Sequence, residues 1–294
     1  MTIENLITKL EGKYPYRTFK DNDILIINGE CLEVMNLMIE ANIICDTTIT
    51  DIPYGTTSCK WDKIIPFEFM WKRLDKLIKP NGAVVLFGSE PFSSHLRMSN
   101  IKNYKYDWIW EKERGTNFPS VNFQPFRVHE MISIFGEFTT TYRKNGIYNY
   151  NPQFSFSTPY KIKASMGIKV KPGGFIRAGS SCSKNNIGID NPDGKRYPKS
   201  IIKINREATD KIHPTQKPVP LIQYLIKTYT NENELVLDFT AGSLTTAVAC
   251  IKEKRKCICI ELDEEYYNLG INRIETKLQQ GVLDLWQLNK HLQI

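Results

Sequence analysis

Short apolar runs recur along this chain, and each is followed by residues at helical spacing. Leu235-Val236-Leu237 ends on Asp238, and Cys257-Ile258-Cys259-Ile260 ends on Glu261. Helix-spaced stretches follow them at 243–251 and 264–278. Runs this short and this uniformly apolar read as strands buried on both faces. The amino-terminal half repeats the plan. Strands are predicted at 23–28, 47–50, 83–87, 106–110 and 131–135, and helices at 31–40, 66–79 and 91–98. A further helix is predicted at 218–230. Buried strands alternating with helices restrict the fold to an α/β domain, with a largely parallel sheet and helices on both faces.

The alternation stops at 137–217, which is rich in Gly, Pro, Asn and Ser and contains Pro172-Gly173-Gly174. So long a stretch is not a simple connection. The expected organisation is a sheet domain in two parts, 1–140 and 212–294, around an insertion at 141–211.

Charge follows the same division. The net charge of the 294 residues is +7, but 141–217 holds 15 basic and 4 acidic residues, a local +11 that leaves −4 elsewhere. Tyr142, Tyr148, Tyr150, Phe154, Phe156, Tyr160, Phe175 and Tyr197 are interleaved with these charges. Such a mixture fits a nucleic-acid face, where cations meet phosphates and rings meet bases. On charge alone a solvated basic loop fits equally well. The seven cysteines are odd in number and form no C-x-x-C, which argues against a disulfide framework or a metal site and for a reducing cytosol. No apolar run approaches the ~18 residues of a spanning helix. Glu4 interrupts the opening stretch, so no secretory signal is expected.

Three stretches carry chemistry. Asp238-Phe239-Thr240-Ala241-Gly242-Ser243-Leu244-Thr245-Thr246 follows one strand and opens a helix, so its backbone amides can approach a ligand at the strand's carboxyl end. Glu261 ends the next strand, where an acid suits ribose hydroxyls. Asp51-Ile52-Pro53-Tyr54 sets a carboxylate, a carbonyl and a ring just past the strand at 47–50. Such a trio can accept hydrogen bonds from an amino group and stack on its ring, although D-x-P-Y also reads as an ordinary turn. Trp108 and Trp110 read as packing residues. His129 and His213 read equally as structural groups or ligand contacts.

Together these stretches resemble the β-class DNA amino-methyltransferases, which move a methyl group from S-adenosylmethionine to adenine N6 or cytosine N4. Asp51-Ile52-Pro53-Tyr54 resembles the catalytic D-P-P-Y, and 238–246 resembles the cofactor loop. His213-Pro214-Thr215-Gln216-Lys217-Pro218 resembles the H-P-T-Q-K-P element, and Asn28-Gly29-Glu30 the N-G-D element. Ile260-Glu261-Leu262-Asp263 resembles the ribose-acid segment, and His129-Glu130 leads into a further family strand. The catalytic motif precedes the cofactor loop, as in the β class.

The resemblance implies a Rossmann-like methyltransferase sheet and a site-specific adenine-N6 enzyme acting on a base flipped out of double-stranded DNA. Asp51, Ile52, Pro53 and Tyr54 would be catalytic. Asp238, Phe239, Thr240, Gly242, Ser243, Thr245 and Glu261 would bind S-adenosylmethionine, with Asn28, Glu30, His213, Thr215 and Lys217. No metal is implied. The 1–140 part would carry catalysis, 141–211 target recognition and 212–294 the cofactor. A homodimer and a cognate restriction endonuclease stay open as partners, in a bacterial or phage-infected cytoplasm.

Three departures bear on this. Ile52 replaces the first family proline, Glu30 the usual Asp, and Leu244 the second glycine of the cofactor loop. Leu244 is expected in the first helical turn at negative φ, with Ser243 as N-cap, so that only its bulk would weaken cofactor binding. The alternatives are cytosine-N4 transfer and a catalytically weakened DNA-binding relative. A nicotinamide oxidoreductase is disfavoured, because no G-x-G-x-x-G follows a strand. The order of motifs and the basic insertion reject a glutamine-modifying protein methyltransferase.

Overall fold

The structure, a computed structural model, describes residues 3–19, 23–57, 59, 62–138, 140, 148–162, 189–206 and 212–291. The stretch 163–188, with Lys169, Lys171, 172–174, Phe175 and Cys182, lies outside them, as does Tyr142. The chain divides into two compact units, Met1–Asn151 with Ser200–Ile294, and Pro152–Lys199.

The larger unit is built on nine strands: β1 (Tyr16–Phe19), β2 (Ile24–Asn28), β3 (Thr47–Thr50), β4 (Val84–Gly88), β5 (Tyr104–Glu111), β6 (His129–Phe135), β11 (Ile201–Lys203), β12 (Leu235–Asp238) and β13 (Lys256–Glu261). Their order across the sheet is β1-β2-β13-β12-β3-β4-β6-β5-β11. The central pairs β2–β13, β13–β12, β12–β3 and β3–β4 are parallel. Strand β6 is antiparallel to both β4 and β5. Strand β5 therefore points the same way as β4, and the carboxyl ends of β3, β4, β5, β12 and β13 share one edge. Functional sites of open α/β sheets form along such an edge.

Helices cover both faces. They are α1 (Ile3–Leu10), α2 (Cys31–Glu40), α3 (Phe67–Leu77), α4 (Phe92–Ser99), α5 (Val219–Tyr229), α6 (Thr245–Glu253) and α7 (Glu264–His291). Alternate residues of one strand enter different cores. Ile24, Ile26, Cys257 and Cys259 pack with α5 and α6, whereas Leu25, Ile27, Ile258 and Ile260 pack with α1, α2 and α3. Burial on both faces is why these strands carry no polar alternation. Among the described residues, no helix is long and apolar enough to cross a membrane.

The structure differs from the sequence expectations in its margins. Helix α1 and edge strand β1 were not expected. Strand β11 falls within the expected insertion yet joins the main sheet beside β5. Tyr148 and Tyr150 also belong to the main core: Tyr148 stacks on Phe138 at 3.8 Å and shares a hydrogen bond with the Tyr106 hydroxyl at 3.0 Å. These two rings are packing groups rather than parts of a nucleic-acid face. Trp108 and Trp110 pack as expected, each indole donating, to the Tyr229 hydroxyl at 2.6 Å and the Ile204 carbonyl at 2.8 Å.

The smaller unit contains two antiparallel ribbons, β7 (Ser155–Phe156) with β10 (Lys195–Arg196), and β8 (Tyr160–Ile162) with β9 (Ile189–Asn191). Cations lie on its rings: Lys195 sits 3.6 Å from the Phe154 centroid and Arg196 4.5 Å from that of Tyr160.

Candidate active site

Strand β3 delivers Asp51 to the carboxyl edge of the sheet, and neighbouring strand β12 delivers Asp238. Hydroxyls join the two ends. Thr50 donates to Asp238 Oδ1 at 2.5 Å, and Thr246 donates to Asp238 Oδ2 at 2.5 Å. Thr240 donates to the Asp51 carbonyl at 3.1 Å. Asp238 is thus buried but satisfied. Burial pushes its carboxyl up to about 6, with the Thr246 and Thr50 hydroxyls acting against that rise.

Strand β13 ends on Glu261, whose carboxylate accepts from the Gly242 amide at 2.6 Å and the Asp263 amide at 2.8 Å. Burial pushes this carboxyl up to about 7 against those two hydrogen bonds. Asn28 braces the same strand end from behind, donating to the Glu261 carbonyl at 2.9 Å and the Leu262 carbonyl at 3.2 Å. Glu30 caps α2, accepting from the Glu33 amide at 2.9 Å.

The strongest electrostatic feature is a ladder of charges. The Lys217 ammonium is paired with Asp51 Oδ2 and lies 3.3 Å from Glu130 Oε2. Lys112 meets the other Glu130 oxygen at 3.0 Å. Both lysine side chains are buried. Lys217, grouped with the cofactor residues on sequence, is paired with the tetrad carboxylate. Burial disfavours its charge, but Asp51 and Glu130 outweigh that and raise its pKa. Burial also opposes Glu130 ionisation, yet Lys217 and Lys112 hold its carboxyl below the usual range. For Asp51 the loss of water dominates and pushes the carboxyl up, with Lys217 acting against it. Lys112 was missed on sequence, and Glu130 was noted only as part of a strand. The available signal was their place at the mouth of the β5–β6 pair.

Tyr54 donates to Asp51 Oδ1 at 2.5 Å, and its ring lies 5.0 Å from that of Phe92. The chain beyond it wraps Asp62, whose carboxylate accepts from the amides of Gly55 at 2.9 Å, Thr56 at 2.9 Å and Thr57 at 2.7 Å. Such a nest fixes the path of the loop that follows the tetrad. His213 is edge-on to the Tyr266 ring at 4.2 Å, and its Nδ1 lies 3.0 Å from the Thr215 hydroxyl.

Leu244 corrects an expectation. Its φ is +55°, a left-handed conformation, and it occupies the N-cap position of α6, which starts at Thr245. Ser243 makes no cap there. The side chain turns into the core and lies over α7, where a Cβ on Gly270 would come 2.5 Å from Leu244 Cγ. Leu244 is fully buried and does not line the cleft.

One cleft of about 940 Å³ gathers these groups. Its wall includes Asp51, Ile52, Pro53 and Tyr54 on one side. Asp238, Phe239, Thr240, Gly242, Ser243, Thr245 and Glu261 line another stretch, joined by Glu30, His213, Thr215 and Lys217. Asn28 stands behind this wall and Lys112 within it. The family profile described as "DNA methylase", for N6 and N4 methyltransferases, matches residues 45–272. The chain belongs to this DNA methylase family.

Relatives agree with that assignment. The Type II methyltransferase M1.MboII of Moraxella bovis is 27% identical over 248 residues, covering 77% of this chain and 89% of its own. The DNA adenine methyltransferase YhdJ of Escherichia coli is 37% identical over 78 residues, 26% of each chain. In fold, the chain is similar to the PvuII DNA methyltransferase, described as cytosine-N4-specific, with a TM-score of 0.59, 16% identity and 89% of both chains covered. It is also similar to M1.HpyAVI in complex with SAM, with a TM-score of 0.55, 22% identity and coverage of 85% of this chain and 98% of the other. The DNA methylase thus carries its family's Rossmann-like sheet, with Asp51 and Glu261 at one carboxyl edge.

Proposed function

We propose that this DNA methylase transfers a methyl group from S-adenosylmethionine to adenine N6 in duplex DNA. The observation that carries the reading is the convergence of Asp51, Tyr54 and Glu261 on a single cleft. The cofactor fits the residues present. Glu261 offers a carboxylate suited to ribose hydroxyls beside a turn of small residues. The cleft, at about 940 Å³, has room for a nucleoside and a flipped base together. When bound, S-adenosylmethionine supplies an activated methyl group on a sulfonium.

The chain's own task is to prepare the amino group. The lone pair of an exocyclic amine is delocalised into the base. Hydrogen bonds from its N–H groups to the Asp51 carboxylate and the Ile52 carbonyl draw the nitrogen toward tetrahedral geometry and localise that pair. Lys217 holds Asp51 by one oxygen, leaving the oxygen that Tyr54 now occupies to face the substrate. After transfer the nitrogen carries a surplus proton, and Asp51, as the hydrogen-bond acceptor of that amino group, takes it. The raised pKa of its carboxyl favours that step. Tyr54 stacks on the flipped base. The segment Pro152–Lys199, with its cations, serves as the target-recognition module.

Adenine is favoured by Asp at the head of the tetrad, which in the resembled family leans toward adenine, and by the likeness to an adenine methyltransferase. The test is to incubate the purified chain with DNA and S-adenosylmethionine, then identify methylated nucleosides by mass spectrometry. N6-methyladenine is expected from the wild type and none from Asp51→Ala. N4-methylcytosine would transfer the reading to the other base, and near-normal turnover of Asp51→Ala would remove Asp51 from the mechanism.

A further inference from the structure

The loop 112–128 joins β5 to β6 at the edge of the sheet that carries Asp51 and Glu261. Its foot belongs to the cleft, which Lys112, Glu113, Arg114 and Thr116 line. Its body is ordered by its own contacts. The Lys112 amide donates to the Val128 carbonyl at 2.7 Å and the Thr116 amide to the Arg127 carbonyl at 3.2 Å. Asn117 spans the loop, accepting from the Arg127 amide at 2.7 Å and donating to the Pro125 carbonyl at 3.1 Å. The Phe126 ring lies against Gly115, where a Cβ would approach it to 2.3 Å, so only glycine admits this packing. A short turn, Phe118–Ser120, leads to the tip.

The tip is apolar and bare. Phe123 is 90% exposed, more than any other large hydrophobic among the described residues, and Phe118 is 75% exposed. Between 114 and 128 there is no acidic residue, and both charges, Arg114 and Arg127, are positive. Arg127 also donates to the Ser89 hydroxyl at 3.0 Å, tying the loop to the end of β4. Leaving a phenylalanine in water is unfavourable. A preordered apolar tip on a loop whose only charges between 114 and 128 are cationic suits a polyanion with an apolar interior, which is stacked duplex DNA.

We propose that Phe123 is a wedge that enters the DNA base stack and fills the space vacated by the target base. The inference rests on the reading of this cleft as one that accepts a flipped base. Apolar wedges between base steps are a known means of stabilising unstacked duplex. A base held outside the helix leaves an apolar gap beside its orphaned partner. Placing a ring in that gap offsets part of the unstacking and slows the return of the base.

The test compares initial methylation rates of wild type, Phe123→Ala and Phe123→Leu on two duplexes containing the methylated site. In one the target base is paired; in the other it faces an abasic position, which removes the pairing that flipping must break. Phe123→Ala is expected to lower kcat/KM on the paired duplex by about tenfold or more and to recover most of it on the abasic duplex. Phe123→Leu, which keeps an apolar wedge, should stay close to wild type. The exposed ring contributes no core packing, so both variants should fold. Equal loss on both duplexes would overturn the wedge, as would an unaffected Phe123→Ala rate. A change of oligomeric state in Phe123→Ala would assign the tip to a second copy instead. Failure of the wild type on both duplexes would refute the underlying function, a distinct result.

Discussion

At the scale of single residues, the site is governed by buried charges that need one another. Lys217 stands between two carboxylates, Asp51 and Glu130. Removing one partner of a buried ion pair typically destabilises by about 3–5 kcal/mol, because the remaining charge is left without compensation. Lys217→Met is therefore expected to lower unfolding free energy by about that amount near neutral pH. The variant would hold Asp51 and Glu130 with raised pKa values. A carboxylate raised above its unfolded value gives stability that is present at low pH and lost as pH rises. The deficit should shrink in urea melts at about pH 4 relative to about pH 7. A deficit that is independent of pH would place Lys217 outside this charge balance. Glu261 gives a second expectation. Its carboxyl is pushed up to about 7, so much of it is protonated near neutrality. Ribose hydroxyls donate to the ionised form and so stabilise it. Binding of S-adenosylmethionine should release a proton near neutral pH and tighten as pH rises. Calorimetry in two buffers of different ionisation enthalpy measures that release, and Glu261→Gln should abolish it.

At the scale of elements, the cofactor turn shows what sequence can and cannot supply. Asp238, Gly242 and Glu261 were legible because they sit at strand ends, which apolar runs locate well. The conformation of Leu244 was not. A left-handed leucine is disfavoured by roughly 1–2 kcal/mol, so negative φ was the natural expectation. The compensating contact lies on Gly270 of α7, a residue with no apparent link to the loop until the helix is docked. Burial of the leucine outweighs the strain. Leu244→Gly should thus destabilise the fold by about 2 kcal/mol, since losing a buried leucine costs more than the strain relieved. It should leave cofactor affinity unchanged, because the side chain does not line the cleft. Tighter binding by the glycine variant would restore the expectation drawn from sequence. The charge ladder escaped notice for a similar reason. Lys112 and Glu130 flank one strand-to-strand loop, but nothing in the spacing shows that the fold brings Lys217, on a distant segment, between Glu130 and Asp51. Strand β1 was not legible because Tyr16-Arg17-Thr18-Phe19 is a short, half-exposed edge strand without an apolar run, whereas helix α1 was legible in the helical spacing of Ile3, Leu6, Ile7 and Leu10.

At the scale of the whole molecule, net charge resides in one place. The segment Pro152–Lys199 holds nine basic and two acidic residues, an excess of +7 that equals the charge of the entire chain. The remainder is neutral. The sequence showed the excess but drew its margins too widely, because β11, Tyr148 and Tyr150 lie next to the basic segment in the chain yet are recruited by the main unit for its own sheet and core. Affinity for duplex DNA that depends on phosphate neutralisation falls linearly with the logarithm of salt, with a slope of about −0.9 per phosphate contacted. Lys195 and Arg196 are held on the rings of Phe154 and Tyr160, a geometry that keeps their charge at the surface while limiting side-chain freedom. Lys199 is exposed beside them. Replacing all three by glutamine should flatten the slope by roughly three units if each meets a phosphate, and should weaken binding similarly for cognate and unrelated duplexes. Stacked cations ordered before binding lose less entropy on contact than flexible ones, so Lys195 and Arg196 should account for more of the affinity loss than Lys199. Fluorescence anisotropy across a salt series measures slope and intercept together. An unchanged slope in the triple variant would move the phosphate contacts off this segment, and a loss confined to the cognate duplex would make these residues readers of sequence rather than of backbone charge.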